Sequence, residues 1–198
     1  MIALMIIVAI LVLVMGYFIV VYNGLIRLKN QVNNALSQID VQLKRRHELI
    51  PNLVESAKGY LSHEKETLSA VIEARNRAQA LQNSGEHRAD NREHMGLLAQ
   101  AEGMLSKALG QFDAVVENYP ELKADSLIQS VMEEMTNTEN RISFARQHYN
   151  DSVMFYNNQR EVFPNNIISG FFQFTPMAQL QFEDKSVIHV APKVSFVD

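Results

Sequence analysis

Glu139, Arg146, Asn150, Val153 and Asn157 are spaced seven, four, three and four residues apart. On a helix that spacing lines a carboxylate, a guanidinium and two amides along one stripe. Arg146 could meet an anionic group there while the two amides supply hydrogen bonds. The same stripe could equally be a buried polar ladder that pairs with another helix and fixes its register. No nucleophile accompanies it, which argues against covalent catalysis. His87, Asp90 and His94 are the one metal-like cluster, three and four residues apart. Asp90 is equally placed to cap a helix, and neither imidazole has an evident second-shell partner, so no metal is expected.

Arg46 is the other charged residue in an unusual place. It interrupts the apolar row Leu25, Val32, Ile39, Leu53 and Tyr60, beside a second row of Leu36, Leu43, Ile50 and Ala57. A guanidinium in a seam needs a partner, because an unpaired buried charge costs several kcal/mol, of the order that drives such groups to pair. Glu139 or another bundle carboxylate is the expected counterion. Five residues on, Pro51 cannot donate to the carbonyl of His47 if the helix continues through it. That makes Pro51 a candidate hinge, or a site where a free carbonyl meets a partner, or simply a bend that wraps the helix around its bundle.

These residues need long helices to position them. From residue 23 to residue 163 the apolar positions recur at helical spacing, and the sequence predicts helices over about 23–58, 63–82, 90–119 and 123–163. Gly59 and Ser62 offer a stop and a restart, residues 83–87 an interhelical loop, and Pro120 an end to the third helix. Ile128, Met135, Ile142, Tyr149, Tyr156 and Phe163 recur every seven residues along the fourth. Such heptads suit a coiled-coil-like antiparallel bundle, or packing between copies of the chain. After Phe163 regular helix is expected to stop. Phe171, Phe172, Phe174, Phe182 and Phe196 are too many for a solvated tail, so this end is read as an extended docking segment.

Residues 1–22 contain no Asp, Glu, Lys or Arg. As a helix they span roughly 33 Å, enough for a hydrocarbon core of about 30 Å. A signal peptide is the competing reading, but no Lys or Arg precedes the run, the run is longer than a usual h-region, and no small-x-small cleavage site precedes the polar boundary at Tyr22-Asn23-Gly24. An uncleaved anchor is therefore expected, with the lipid bilayer as its partner. Arg27, Lys29, Lys44, Arg45 and Arg46 then predict a cytoplasmic body and an outside N-terminus. The domain plan is an anchor at 1–22, a helical bundle at 23–163 and the docking segment at 164–198, all-α throughout.

Composition excludes several functions. The absence of cysteine rules out disulfides, thiolate catalysis and Cys-ligated metal, and a net charge of −4 gives no general pull towards nucleic acid. Gly-rich phosphate loops and nucleophile elbows are missing, so neither an enzyme nor a cofactor is expected.

Two segments carry a family likeness: residues 45–54, RRHELIPNLV, and residues 139–150, ENRISFARQHYN. With Val153, Tyr156-Asn157, Phe163-Pro164 and residues 192–196, PKVSF, the chain resembles the bacterial LemA family over nearly its whole length. The resemblance implies a single-pass protein of the bacterial inner membrane with a mostly helical soluble region, in a family without an established biochemical activity. Phe182, where the family often has Tyr, is the one departure. The expectation is a non-catalytic, membrane-anchored scaffold that forms homo-oligomers. The rival is an adaptor for a membrane protein partner such as a quality-control protease.

Overall fold

The computed structural model describes residues 1–61, 63–84 and 87–181. Its elements are α1 (Ile2–Ala57), α2 (Lys65–Gln82), α3 (Arg92–Val116), α4 (Pro120–Ala124), α5 (Ser126–Glu161) and α6 (Asn165–Phe171). No strand occurs among the described residues. Anchor and bundle share one helix: α1 runs unbroken through residue 22 and through Pro51. Residues 1–20 are all exposed, and the helix has a stretch long and apolar enough to cross a membrane.

Side-chain bonds give the direction of each helix. Gln82 of α2 reaches the Asp40 carbonyl and Arg75 reaches that of His47, so α2 turns back along α1 as a hairpin. α3 returns, placing Glu102 and Ser106 beside Arg46. α5 descends again: Asp125 at its start bonds Tyr60 beyond the far end of α1, Glu139 meets Arg46 in the middle, and Asn165 just past its end bonds Tyr17 near the start of α1. The result is an up-down-up-down antiparallel bundle in which each helix buries one apolar stripe.

The interior divides into two apolar clusters. Far from the apolar N-terminal stretch, Ile50, Leu53 and Val54 pack with Val71, Leu105, Phe112 and Ile128. Nearer to it, Val32, Leu36, Ile39 and Leu43 pack with Met95, Ile142, Tyr149, Val153 and Tyr156, and with Met177 and Leu180 of the C-terminal segment. Arg46 and His47 lie in sequence between Leu43 and Ile50, at the boundary of the two.

Several helix ends differ from their expected positions, each for a local reason. α3 starts at Arg92 because Asn91, not Asp90, is its cap, accepting from the His94 amide at 3.1 Å. It stops at Val116. Pro120 opens α4 rather than closing α3, since proline fits the first turn, where its missing N–H leaves nothing unpaired. Asp125 is extended and caps α5 through the amides of Leu127 and Ile128, which delays that helix to Ser126. Those bonds and one from the Tyr60 hydroxyl hold the Asp125 carboxyl below its ordinary value, the Tyr60 bond contributing most.

The expectation that helix ends at Phe163 is corrected by α6. Gly170 lies inside it, and the closing position falls three residues later than that glycine would suggest. Gln173, at φ 55°, adopts the left-handed conformation usual for a closing glycine. Its amide bonds the Gly170 carbonyl and that of Phe174 bonds the Ser169 carbonyl at 2.9 Å, a Schellman closure. From there to residue 181 the chain is extended along the bundle.

Candidate functional site

The charge junction between the two clusters is built from three helices. Arg46 and His47 of α1 and Glu102 of α3 are each no more than 1 % exposed. Arg46 donates to Glu102 through Nη2 and to Glu139 of α5 through Nη1, the latter at 2.5 Å. Ser106 Oγ lies 3.4 Å from the same Nη1. The other Glu102 oxygen is 3.0 Å from His47 Nε2, and because a carboxylate only accepts, Nε2 carries the hydrogen. Burial pushes the Glu102 carboxyl up, but the His47 bond and the Arg46 charge outweigh it and hold the carboxyl below its ordinary value.

Next to the junction, Pro51 leaves the His47 carbonyl without its helical donor. Arg75 Nε supplies the missing bond from α2 at 3.0 Å. A carbonyl offered to an outside partner, one reading of Pro51, is therefore already satisfied within the chain.

The second polar network is a cradle on α5. Asn157 Nδ2 donates to the Met177 carbonyl at 2.9 Å and its Oδ1 accepts from the Met177 amide at 3.0 Å. Asn150 treats Leu180 in the same way, at 3.1 and 2.9 Å. Tyr156 donates to the Thr175 carbonyl and Tyr149 to that of Ala178, while the Ala178 amide bonds the Ala89 carbonyl at 2.8 Å. The register follows from chain geometry. Seven helical residues rise about 10.5 Å and three extended residues span about 10 Å, so a Tyr-Asn pair repeated after seven positions meets a segment repeating after three. The pairing 157 with 177 and 150 with 180 makes the segment antiparallel to α5. Burial, then the charge of Asp40, raises the Tyr149 hydroxyl well above the usual phenol range, and it serves purely as a donor.

The stripe read from sequence is thus divided. Glu139 joins Arg46 at the junction, Asn150 and Asn157 hold the extended segment, and Arg146 lies half-buried on α5 one turn before Asn150. Glu139 does pair with another helix, as a ladder would, whereas Asn150 and Asn157 pair with backbone. Of the Phe residues, Phe174 packs against the cluster, Phe171 and Phe172 are exposed, and Phe182 and Phe196 lie outside the described residues. His87, Asp90 and His94 turn to separate partners: His87 Nε2 to Asp40 at 2.8 Å, His94 Nε2 to Ser84 at 3.3 Å, and Asp90 to Arg88. No metal-like group of three forms among the described residues.

Sequence reading missed Glu102 and Arg75. Glu102 lies seven residues after Met95 and four after Leu98, so a carboxylate on the apolar stripe of α3 was the available signal. Arg75 has no such mark, because its acceptor is a carbonyl freed by a proline on another helix.

One long apolar N-terminal helix, consistent with membrane anchoring, that continues into an antiparallel bundle with an extended segment laid along it defines a membrane-associated helical protein. The chain belongs to the LemA family, whose model matches residues 35–196. It is 28 % identical over 162 residues to Protein LemA of Metamycoplasma hominis, covering 80 % of this chain and 69 % of that protein. It is 26 % identical over 168 residues to Magnetosome protein MamQ 2 of Paramagnetospirillum magneticum, covering 76 % of this chain and 62 % of the relative. With Magnetosome protein MamQ of Magnetospirillum gryphiswaldense it shares 24 % over 152 residues, 69 % of this chain and 56 % of the relative. The chain spans less than two thirds of these magnetosome relatives.

Proposed function

We propose that the chain is a non-catalytic, membrane-anchored helical scaffold of the bacterial inner membrane, with its N-terminus outside and its bundle in the cytoplasm, that assembles with further copies of itself. The cations from Arg27 onward support that orientation. A non-catalytic role is supported by the junction at Arg46, His47 and Glu102, whose charged groups are enclosed and paired with one another. The observation that carries self-association is an apolar face on the bundle where Val41 of α1 is 63 % and Phe144 of α5 73 % exposed. Gln38, Arg141, Ala145 and His148 surround it, an apolar centre with a largely polar rim. The test is the mass of the full-length protein in detergent, alone and as Phe144→Ser. A multiple of 22.5 kDa that falls to one chain in the variant supports the scaffold; one chain at every concentration overturns it.

A second reading, an adaptor for a membrane protein partner such as a quality-control protease, is favoured by the cradle, whose side chains hydrogen-bond an extended segment only through its backbone groups. A monomer that retains a partner through residues 164–198 would support it.

A further inference from the structure

We infer that α6 and the turn after it form a second membrane contact, an apolar collar that lies in the headgroup region of the bilayer crossed by α1. The inference rests on the anchoring role of α1. α5 runs antiparallel to α1, so its C-terminal end and α6 arrive beside the last turns of the apolar stretch. There the Tyr17 hydroxyl donates to Asn165 Oδ1 at 3.0 Å, and the Tyr22 ring lies 4.7 Å from that of Phe172 and 5.7 Å from that of Phe174. These contacts fix the collar at the level of residues 17–22.

What the collar shows to its surroundings is apolar. Phe163 is 80 %, Phe171 77 %, Ile167 56 % and Phe172 47 % exposed. No Asp, Glu, Lys or Arg occurs between Glu161 and Glu183. Such a cluster is costly in water and suited to an interface, where aromatic rings sit at headgroup depth and flanking cations meet phosphates. Arg27 and Lys29 stand one to two turns further along α1, and Arg160 at the end of α5 pairs with Glu161 at 2.6 Å. The face is continuous with the exposed apolar surface of α1, and that continuity selects a lipid surface as its occupant over a second copy of the chain. The Schellman closure at Gln173 then turns the chain away from the collar and into the cradle.

The chain contains no tryptophan, so a single Trp reports its own surroundings. Full-length Phe171→Trp, Phe18→Trp and Phe144→Trp are reconstituted in phosphatidylcholine vesicles containing phosphatidylglycerol, with or without lipids brominated high or low on the acyl chain. Circular dichroism confirms equal helix content. The expected result is blue-shifted emission from Phe171→Trp, quenched most by bromine near the headgroup; quenched emission from Phe18→Trp; and unquenched emission from Phe144→Trp, roughly 33 Å further along the bundle by helical rise. Phe171→Trp unquenched while Phe18→Trp is quenched overturns the collar and leaves the anchor standing. Blue-shifted but unquenched emission means that protein covers the face, and also overturns it. If Phe18→Trp is itself unquenched, the anchor fails and the collar with it.

Discussion

The junction at Arg46 and the cradle at Asn150 and Asn157 are both polar networks inside an apolar bundle, and they solve different problems. The junction joins side chain to side chain: two carboxylates, a guanidinium and an imidazole, each chosen because the others are there. The cradle joins side chain to backbone, and each amide satisfies both an N–H and a C=O of one residue in an extended segment that has no neighbouring strand. Ion pairs in an interior fail badly when one member is lost, because the other charge stays buried. Amide-to-backbone pairs fail locally, since the released segment can take its bonds from water.

The largest effect should therefore come from Glu102→Leu. It leaves Arg46 and His47 enclosed with only the half-exposed Glu139, and should cost about 3–5 kcal/mol of unfolding free energy. Arg46→Met combined with Glu102→Leu should recover most of that loss, because the double variant removes both members of the pair and keeps apolar volume. Denaturant unfolding of all three chains decides the matter. A loss below about 1 kcal/mol for Glu102→Leu would make the junction no stronger than a surface ion pair.

Asn157→Ala should have the next effect, about 1–3 kcal/mol confined to the extended segment. In hydrogen exchange the Met177 amide should lose protection while α1 and α5 keep theirs. Asn150→Ala should do the same at Leu180. Global loss of protection in either variant would mean that the segment is part of the bundle's cooperative unit, and the contrast between the two networks would disappear.

Acid should separate them too. Glu102 is held below its ordinary value of 4.5, so its contribution is fully present above that value and is lost as pH falls through the lower folded value. The wild type should thus lose stability on acidification below about pH 4.5 more steeply than Glu102→Gln. The amide cradle does not titrate. Equal slopes in the two chains would show that another carboxylate governs acid unfolding.

The contrast also explains what could be read from sequence. A guanidinium at a seam position announces itself by violating an apolar row, and the demand for a counterion named Glu139 correctly. Glu102 escaped notice because α3 is rich in Ala and Gly, which blur its apolar stripe, so one carboxylate on it looked solvated. The amide stripe was visible as a spacing, but its partner was not. Backbone N–H and C=O groups are the same at every residue, so nothing in residues 175–180 says that they will be held. The repeated Tyr-Asn pair, seven apart, was the clue. α6 was invisible for another reason: seven residues with an internal glycine are too few to show a helical period, and its closure relies on a left-handed glutamine that sequence preference would not select.

Between the two types lies Arg75, a charged side chain that satisfies a single backbone carbonyl. Arg75→Ala should cost about 1–2 kcal/mol, less than either network, since it strands one partly buried carbonyl of His47. The cause can be isolated, because the carbonyl is free only on account of Pro51. Pro51→Ala restores an N–H that can close the normal helical bond to His47, so in that background Arg75→Ala should lose less stability than in the wild type. A thermodynamic cycle over the four chains reads this coupling directly. If Arg75→Ala costs the same with proline or alanine at position 51, Arg75 acts through packing alone. A clear coupling would instead make the proline and its distant arginine one device, holding α2 against α1 next to the buried charges.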